Sequence, residues 1–273
     1  MKKLFISSLV LAAMSSCGSS DDTLPEVNNN NNGGTPLLLT KATEVTDDGQ
    51  TYTVQFKYDG DRLIESYNNV EQEKTVYTYN GDNIIKTEDY EAGVMKMMRE
   101  FTYTNGRVSS EKVTNKNAGT LVYTKAFQYI SATHVKFNEY SSSTFNPSTG
   151  VHSDIKFSQN DVQLSSGGNI ATMVSVDNGR TTTSTYNYDT KNHPMKNIRG
   201  YLKIDLFYLS DGELGYNNLL NMSSNYSGTV SGSLGSTATH TYNANNFPTK
   251  TVMNYTSTTF PASSTTYTYE YNQ

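Results

Sequence analysis

The chain has 273 residues, a formal charge of −5, one cysteine, no tryptophan and 21 tyrosines. Its acidic balance gives no electrostatic attraction to nucleic acid or to anionic lipid surfaces, so we exclude nucleic acid as a partner. Tyr, Thr, Ser and Asn are abundant while strong helix formers are sparse, which favours an all-β fold.

The first 16 residues have the pattern of a secretion signal. Lys2 and Lys3 precede an apolar run from Leu4 to Met14 that is too short to span a bilayer as a helix. The sequence MSSC at 14–17 resembles a bacterial lipobox, with Met where Leu is usual. We therefore predict a signal peptide over 1–16 and lipidation of Cys17, which anchors the chain to membrane lipid. The alternative is an ordinary signal peptide with a coincidental cysteine.

Residues 17–36 are polar and contain a run of asparagines, so we predict a lipidated flexible tether. Asp21 and Asp22 follow Cys17 closely, and such an acidic patch resembles the surface-export signal of lipoproteins in one group of Gram-negative bacteria. We predict an outer-membrane location on the cell surface, with the periplasmic face as the alternative. Loss of Lys2 and Lys3 with the signal would change the formal charge from −5 to −7.

From Leu37 onward, apolar and polar residues alternate. In TYTVQFKY at 51–58 the residues Tyr52, Val54 and Phe56 share one face, which predicts a strand with one apolar side. Asp59-Gly60 then predicts a hairpin turn, because glycine adopts positive φ without strain. The stretch FKYDGDRLI at 56–64 returns as YTYNGDNII at 77–85, and weaker copies follow along the chain. The repeated unit is a β-hairpin.

The length from 37 to 273 accommodates roughly 16–20 strands at ten to twelve residues per strand and turn. Consecutive hairpins make an antiparallel up-and-down meander, which must curl or close because open edges invite aggregation. We favour closure into a large barrel, and a long twisted sheet is the alternative.

The hairpins loosely resemble the tyrosine–aspartate repeats of bacterial surface and toxin-shell proteins. The stretch YDTKNHPMKNI at 188–198, together with the lipobox and the hairpin series, is similar to a family of bacterial lipoproteins of unknown function with a porin-like fold. That resemblance covers most of 37–273 and implies a barrel and an envelope location. It implies no activity and no catalytic residues.

One segment departs from the alternating pattern. Apolar residues at helical spacings after Pro194 predict a short helix near 194–203, capped by Asn192, with strand from Leu202 onward as the alternative. Because function should lie where the hairpin pattern fails, we predict a ligand or partner region around 190–222, comprising Tyr188, Asn192, Lys196, Asn197, Tyr201 and Tyr216.

Charged residues fall within the predicted strands, whereas a membrane-spanning barrel needs a lipid-facing apolar band across nearly every strand. We therefore predict a soluble, tethered barrel. The charged positions are Lys57, Lys86, Glu88, Lys112, Lys125 and Lys136.

The sequence offers no catalytic, metal or cofactor motif. The four histidines are far apart, and the D-x-D at Asp59 and Asp61 is better explained by turn formation than by calcium binding. A carboxylate pair brought together only by folding stays open. The tyrosines before the turns fit core packing better than ligand stacking.

We therefore predict a non-enzymatic envelope lipoprotein without cofactors that binds a ligand, either a glycan or an amphiphile, or a partner protein. The first alternative is a structural or assembly component of the outer-membrane surface. The remote alternative is an envelope hydrolase. A cavity above about 300 Å³ with convergent polar groups would favour ligand binding.

Overall fold

The structure is a computed structural model in which one β-barrel accounts for nearly all of the described chain. It describes residues 36–116, 120–141, 145–146, 151–152, 156–177, 179–205 and 215–272. The predicted signal peptide, Cys17 and all of the tether except residue 36 lie outside the described residues.

The described elements are eighteen strands and one short helix. The first nine strands are β1 (Leu39–Thr46), β2 (Thr51–Asp59), β3 (Arg62–Asn68), β4 (Glu73–Asn80), β5 (Asn83–Glu91), β6 (Val94–Thr104), β7 (Arg107–Asn115), β8 (Thr120–Tyr129) and β9 (His134–Ser141). The others are β10 (Phe145–Asn146), β11 (Val151–His152), β12 (Lys156–Leu164), β13 (Ile170–Asp177), β14 (Arg180–Tyr188), α1 (Tyr201–Asp205), β15 (Leu219–Ser227), β16 (Gly232–Tyr242), β17 (Pro248–Ser257) and β18 (Ser263–Tyr271).

Sixteen of these strands form a closed antiparallel barrel. Strands adjacent in the chain pair with one another, except that β9 pairs with β12 across a small separate hairpin of β10 and β11. Pairing of β1 with β18 closes the circle, so none of these sixteen strands is left as a free edge. The predicted all-β meander, its closure and its number of strands are confirmed.

The turn in FKYDGDRLI is built as the sequence predicts. Strand β2 ends at Asp59, β3 begins at Arg62, and Gly60 between them has φ of 62°. In the later copy, Gly81 has φ of 58° between β4 and β5. Both glycines therefore supply the left-handed conformation that a tight hairpin requires.

Residues 189–205 cross one end of the barrel, which we call the capped end; the opposite end is the distal end. The backbone N–H of Arg199 donates to the carbonyl oxygen of Asp61 at 3.0 Å, and its guanidinium bonds both carboxylate oxygens of Asp61. The same guanidinium reaches Asp82 at 2.8 Å in the next turn. The crossing segment is thus fixed to the turns of two separate hairpins.

The predicted helix near 194–203 is wrong in its position. Residues 194–200 form successive turns, with bonds from Lys196 N to the oxygen of His193 and from Ile198 N to that of Met195. Gly200 has φ of 72°, which interrupts regular helix, so α1 spans only Tyr201–Asp205. The alternative of strand from Leu202 is also wrong as far as residue 205.

The apolar core fills the capped half of the barrel. The residues that begin strands after the capped-end turns, such as Leu63, Ile84 and Val135, are 0% exposed. Ile198 and Leu202 of the crossing segment join the same cluster. The crossing segment therefore seals the capped end with side chains that complete the core.

Tyrosines at the ends of strands bind the strand before them at the capped end. The hydroxyl of Tyr58 donates to the carbonyl of Leu39 at 2.5 Å, that of Tyr103 to Ile84 at 2.6 Å, and that of Tyr271 to Pro248 at 2.7 Å. Burial raises the pKa of Tyr58 and Tyr103, so both phenols remain donors. These contacts explain why an aromatic residue precedes the turn and an apolar residue follows it.

We expect Tyr103→Phe to lower the free energy of unfolding by about 1–3 kcal/mol, because the buried carbonyl of Ile84 loses its phenol donor. Denaturant unfolding followed by circular dichroism measures the change. Tyr67→Phe is the matched control, since Tyr67 is 37% exposed, and it should change stability by less than about 0.5 kcal/mol. Equal effects of the two variants would contradict the role of the Tyr103 hydroxyl.

The outer wall of the barrel carries charged pairs along its strands. Lys57 pairs with Glu65 at 3.5 Å, and Lys86 with Glu88 at 2.9 Å. Others are Lys41–Glu270, Lys112–Glu100 and Lys136–Asp161. Within the described ranges, no helix is both long enough and apolar enough to cross a membrane.

Candidate functional site on the inner wall

Among the charged side chains inside the barrel, five lie next to one another, one from each of the strands β5 to β9. They are Asp89, Arg99, Glu111, Lys125 and Glu139. Direct cross-strand pairing places Glu111 opposite Lys125, and Lys125 opposite Glu139. Side chains on one face of neighbouring strands interact across such pairs, so the five form one continuous group, which we call the inner-wall cluster.

Ion pairs connect the members of the inner-wall cluster. Arg99 bonds Asp89, and its Nε lies 3.9 Å from Oε1 of Glu111. The Nζ of Lys125 lies 3.8 Å from Oε2 of Glu111 and 3.7 Å from Oε2 of Glu139. These Lys125 distances are ion-pair distances beyond hydrogen-bond range, so the cluster is loosely packed around Glu111.

The inner-wall cluster marks the boundary between the apolar core and a wetter interior. The side chain of Glu111 is 0% exposed, whereas those of Asp89 and Glu139 keep 23% and 21%. Because these side chains point into the barrel, that exposure is to space inside it. Phe101 and Phe127 lie beside the cluster on its capped side, with 4% and 2% exposed.

Glu111 is the most perturbed acid of the cluster. Burial raises its pKa to about 7, Lys125 and Arg99 lower it, and the Glu139 carboxylate raises it. The hydroxyl of Tyr123 lies 3.5 Å from its Oε1, while its Oε2 has no hydrogen-bond partner among the described residues. A buried acceptor without a donor is costly, which makes this oxygen the clearest unsatisfied polar atom of the inner-wall cluster.

Further acidic residues lie on the distal side of the cluster, at or beside the turns that connect β3 to β4 and β5 to β6. Burial raises the pKa of Glu73 to about 7, and the neighbouring Glu71, Asp89 and Glu91 add to the effect. One of them, Glu91, pairs with Lys96 at 2.9 Å. The distal rim beside β3–β6 therefore carries several acids, at least one of which is paired with a lysine.

We expect the free energy of unfolding to fall as pH rises from about 4.5 to 7, because folded Glu111 and Glu73 keep protons that the unfolded chain releases near the ordinary glutamate pKa. Glu111→Gln should remove much of this loss and stabilise the protein at pH 8 by on the order of 1–3 kcal/mol. Denaturant unfolding at pH 5 and pH 8 tests this. Glu270→Gln, an exposed outer-wall change, should keep the wild-type slope, and an unchanged slope for Glu111→Gln would refute the assignment.

The structure brings the six residues predicted from the sequence to the capped end. Asn192 bonds the carbonyl of Asn245 at 2.8 Å and accepts from Lys196 at 2.7 Å, while Asn197 bonds the carbonyl of Leu37 at 2.9 Å. These polar groups therefore fix the crossing segment to the barrel.

The aromatic members of that prediction are also packed. Tyr201 is 4% exposed, with its ring 6.4 Å from that of Tyr77. The backbone N–H of Tyr216 donates to Oδ1 of Asn169 at 2.6 Å. The hydroxyl of Tyr188 is buried without a hydrogen-bond partner among the described residues. A ligand role for these residues stays a prediction.

A small cavity lies beneath the crossing segment, between His193 and His240. Its volume of about 20 Å³ has room for roughly one water. His240 bonds the Thr251 hydroxyl and the Leu219 carbonyl, both at 2.8 Å. In the described part of the chain, no group of three or more His, Cys, Asp or Glu side chains is placed to hold a metal ion.

Sequence reasoning missed the inner-wall cluster, although one signal for it was present. Lys125 shares the strand parity of Phe127 and Tyr129, so alternation alone places it inside the barrel. Treating it as an outward charge was therefore wrong, whereas Lys57 and Lys112 are 66% and 56% exposed.

Comparison with solved structures places this architecture among known ones. A porin-like protein from Bacteroides vulgatus aligns with a TM-score of 0.54 and 14% identity, over 87% of this chain and 99% of that one. The chain has the fold of porin-like proteins. A second porin-like protein, from Bacteroides uniformis, aligns with a TM-score of 0.54 and 11% identity, over 86% of this chain and 98% of that one. At such identities the shared property is the porin-like fold alone.

No protein-family model matches the sequence, and no curated protein matches it either. Evidence on function therefore comes from the geometry of the barrel.

Proposed function

We propose that this protein is a non-enzymatic envelope lipoprotein, anchored in the outer membrane through acylated Cys17, that receives a ligand through the distal end of its barrel. The proposal rests on where the N-terminal segment joins the barrel. The carbonyl of Leu37 bonds Asn197 and that of Pro36 bonds Asn272, both at the capped end. A tether over 17–36 would thus join the sealed end, which leaves the opposite, distal end for a ligand to enter.

The charged outer wall favours a barrel that is surrounded by water and joined to the membrane only by its tether. Its ion pairs, including Lys57–Glu65 and Lys86–Glu88, lie where a membrane-spanning barrel would need apolar side chains. Anchoring by lipid on Cys17 would then supply the membrane attachment. The acidic pair Asp21 and Asp22 favours the cell surface over the periplasmic face.

A ligand would bind in the distal half of the barrel. The capped half is filled by apolar side chains and sealed by the crossing segment, so a ligand would enter from the distal end. The inner-wall cluster combines charges with an adjacent aromatic layer, a pairing that suits a glycan or an amphiphile better than a purely apolar molecule.

Membrane fractionation of cells expressing wild type or Cys17→Ser tests the anchor. Wild type should remain with the outer membrane, and the variant should move to the soluble fraction. Protease treatment of intact cells then tests the face, since a surface protein is digested and a periplasmic one is protected. Wild type that washes off membranes without detergent would overturn the anchor.

Native mass spectrometry of the mature chain, extracted from membranes, tests ligand binding. We expect a bound glycan or amphiphile that is retained by Lys57→Ala, an outer-wall change, and lost on substitution of the inner-wall cluster. A mature chain that binds neither class would overturn ligand binding.

A structural role in assembly has one observation in its favour. Four distal-end connections each expose one large apolar side chain, either in the loop or, for Val94, at the start of the next strand: Val70 at 55%, Val94 at 53%, Val230 at 64% and Phe260 at 68%. Apolar tips gathered at one end suit the docking of another envelope protein. Cross-linking in cells should recover such a partner, and the double change Val230→Ser and Phe260→Ser should abolish the cross-link.

A further inference from the structure

His193 belongs to the first part of the crossing segment and is buried beneath it. Its side chain is 4% exposed and borders the small cavity that it shares with His240. The carbonyl of His193 accepts the N–H of Lys196 at 3.0 Å, which forms one of the successive turns of the segment. The protonation state of this imidazole therefore bears on how the capped end is sealed.

A backbone bond fixes the protonation state of His193. The N–H of Met195 donates to Nδ1 of His193 at 3.2 Å. Because a backbone amide nitrogen donates and cannot accept, Nδ1 has to be the unprotonated nitrogen of a neutral ring. Protonation of Nδ1 would set two donors against each other and break the bond.

His240, on the other side of the cavity, tolerates a proton. Its Nε2 lies 2.8 Å from the carbonyl oxygen of Leu219, which only accepts, so Nε2 carries the hydrogen of the neutral ring. Its Nδ1 lies 2.8 Å from the hydroxyl of Thr251. A hydroxyl can rotate to accept instead of donating, so a charged His240 would keep both contacts. Acid therefore breaks a contact at His193 and neither of these contacts at His240.

The cavity beside His193 offers little to stabilise a charged ring. It has room for roughly one water, too few to hydrate an imidazolium. The titratable residues that line it are His193, His240 and Tyr269, and neither side-chain type is negatively charged near neutral pH. A proton on His193 therefore favours a form of the segment that exposes the ring to water.

Charged residues close to His193 in the chain do not offset a proton there. The carboxylate of Asp189 accepts from Nδ2 of Asn218 at 3.0 and 3.2 Å, so its charge is already engaged. Lys191 and Lys196 each bond an asparagine side chain at 2.7 Å, and both are positive. The two lysines therefore oppose a further positive charge on this segment.

Other contacts hold the segment on either side of His193 and Met195. Asn192 bonds the carbonyl of Asn245 at 2.8 Å, and the guanidinium of Arg199 bonds the carboxylate of Asp61. Carboxylates ordinarily stay charged at pH 5. Loss of the bond to Met195 would thus let residues 193–198 move outward while both flanking contacts remain.

We propose that protonation of His193 opens residues 193–198 of the crossing segment, which makes the capped end an acid-sensitive latch. This inference goes beyond the proposed function, since it does not depend on a ligand in the distal half. The direction of the effect is opposite to that expected for Glu111 and Glu73, which stabilise the whole barrel in acid.

Hydrogen exchange of the full mature chain at pH 7.5 and pH 5.0, followed by mass spectrometry, tests the proposal. If only the open form takes up the proton near the ordinary imidazole pKa of about 6.5, protection of residues 193–198, corrected for intrinsic rates, should fall about ten- to thirtyfold at pH 5.0. Strand β7 should not lose protection. His193→Asn places an amide oxygen near the position of Nδ1 and should abolish the fall. His134→Gln, at a partly exposed histidine that pairs with Asp161 on the barrel wall, should keep it.

The pH at which protection falls keeps the test decisive if His193→Asn folds poorly. In the wild type the fall should begin near pH 6.5. A fall that begins only below about pH 4.5 would assign the opening to carboxylates such as that of Asp61 and would overturn the proposal. Equal protection of residues 193–198 at both pH values, or a fall that persists in His193→Asn, would overturn it as well.

Discussion

Phe127→Ala should lower the free energy of unfolding by about 3–5 kcal/mol, the largest effect that we expect from a single side chain. Phe127 is 2% exposed and stacks on Phe137 with ring centroids 4.3 Å apart. Removing its ring leaves a cavity in the layer between the apolar core and the inner-wall cluster, where two rigid strands limit collapse. Chemical denaturation of the purified domain measures the loss.

Ile130→Ala provides the control for that experiment. Ile130 lies three residues further along the chain and is 48% exposed, so its truncation should cost less than about 0.5 kcal/mol. If Phe127→Ala costs less than about 1 kcal/mol, the layer beside the inner-wall cluster is not close-packed.

Gly200→Ala should destabilise the protein by about 2–5 kcal/mol, since two separate costs add. Gly200 has φ of 72°, which strains any residue with a Cβ, and that Cβ would stand 2.6 Å from the backbone oxygen of Asp82. The crossing segment would have to lift from the β4–β5 turn. Thermal unfolding and limited proteolysis near 189–205 would report the change.

Gly93→Ala separates the two costs. Gly93 has φ of 80°, but no atom lies within 4 Å of the place that a Cβ would take. Alanine there should therefore lower the free energy of unfolding only through backbone strain, by about 1–2 kcal/mol. A Gly200→Ala variant no worse than Gly93→Ala would show that the close approach to Asp82 is relieved at little cost.

The barrel was predictable because its signals are local and repeated. Alternation over 51–58, the Asp-Gly turn after it and their return at 77–85 each define a hairpin without distant information. The number of hairpins favoured closure over the alternative of a long twisted sheet, since a long open meander leaves two exposed edges.

The inner-wall cluster was harder to predict because a β-bulge changes which residues of a strand face the inside of the barrel. On β7, Val108 and Glu111 both face inward although they are three residues apart, because the register shifts opposite Tyr103. Strict alternation from Val108 would place Glu111 outside. The link from Arg199 to Asp61 joins positions 138 apart in the chain, and no local pattern encodes it.

Closure of the barrel by β1 and β18 has a consequence for how the protein is made. Leu39 pairs with Tyr271, and the N–H of Asn272 donates to the carbonyl of Leu38 at 2.9 Å, so the two strands of the seam come from opposite ends of the domain. The first strand must stay unpaired on one side until the last has been synthesised. Such distant pairing slows folding and leaves a strand edge open to aggregation until the barrel closes.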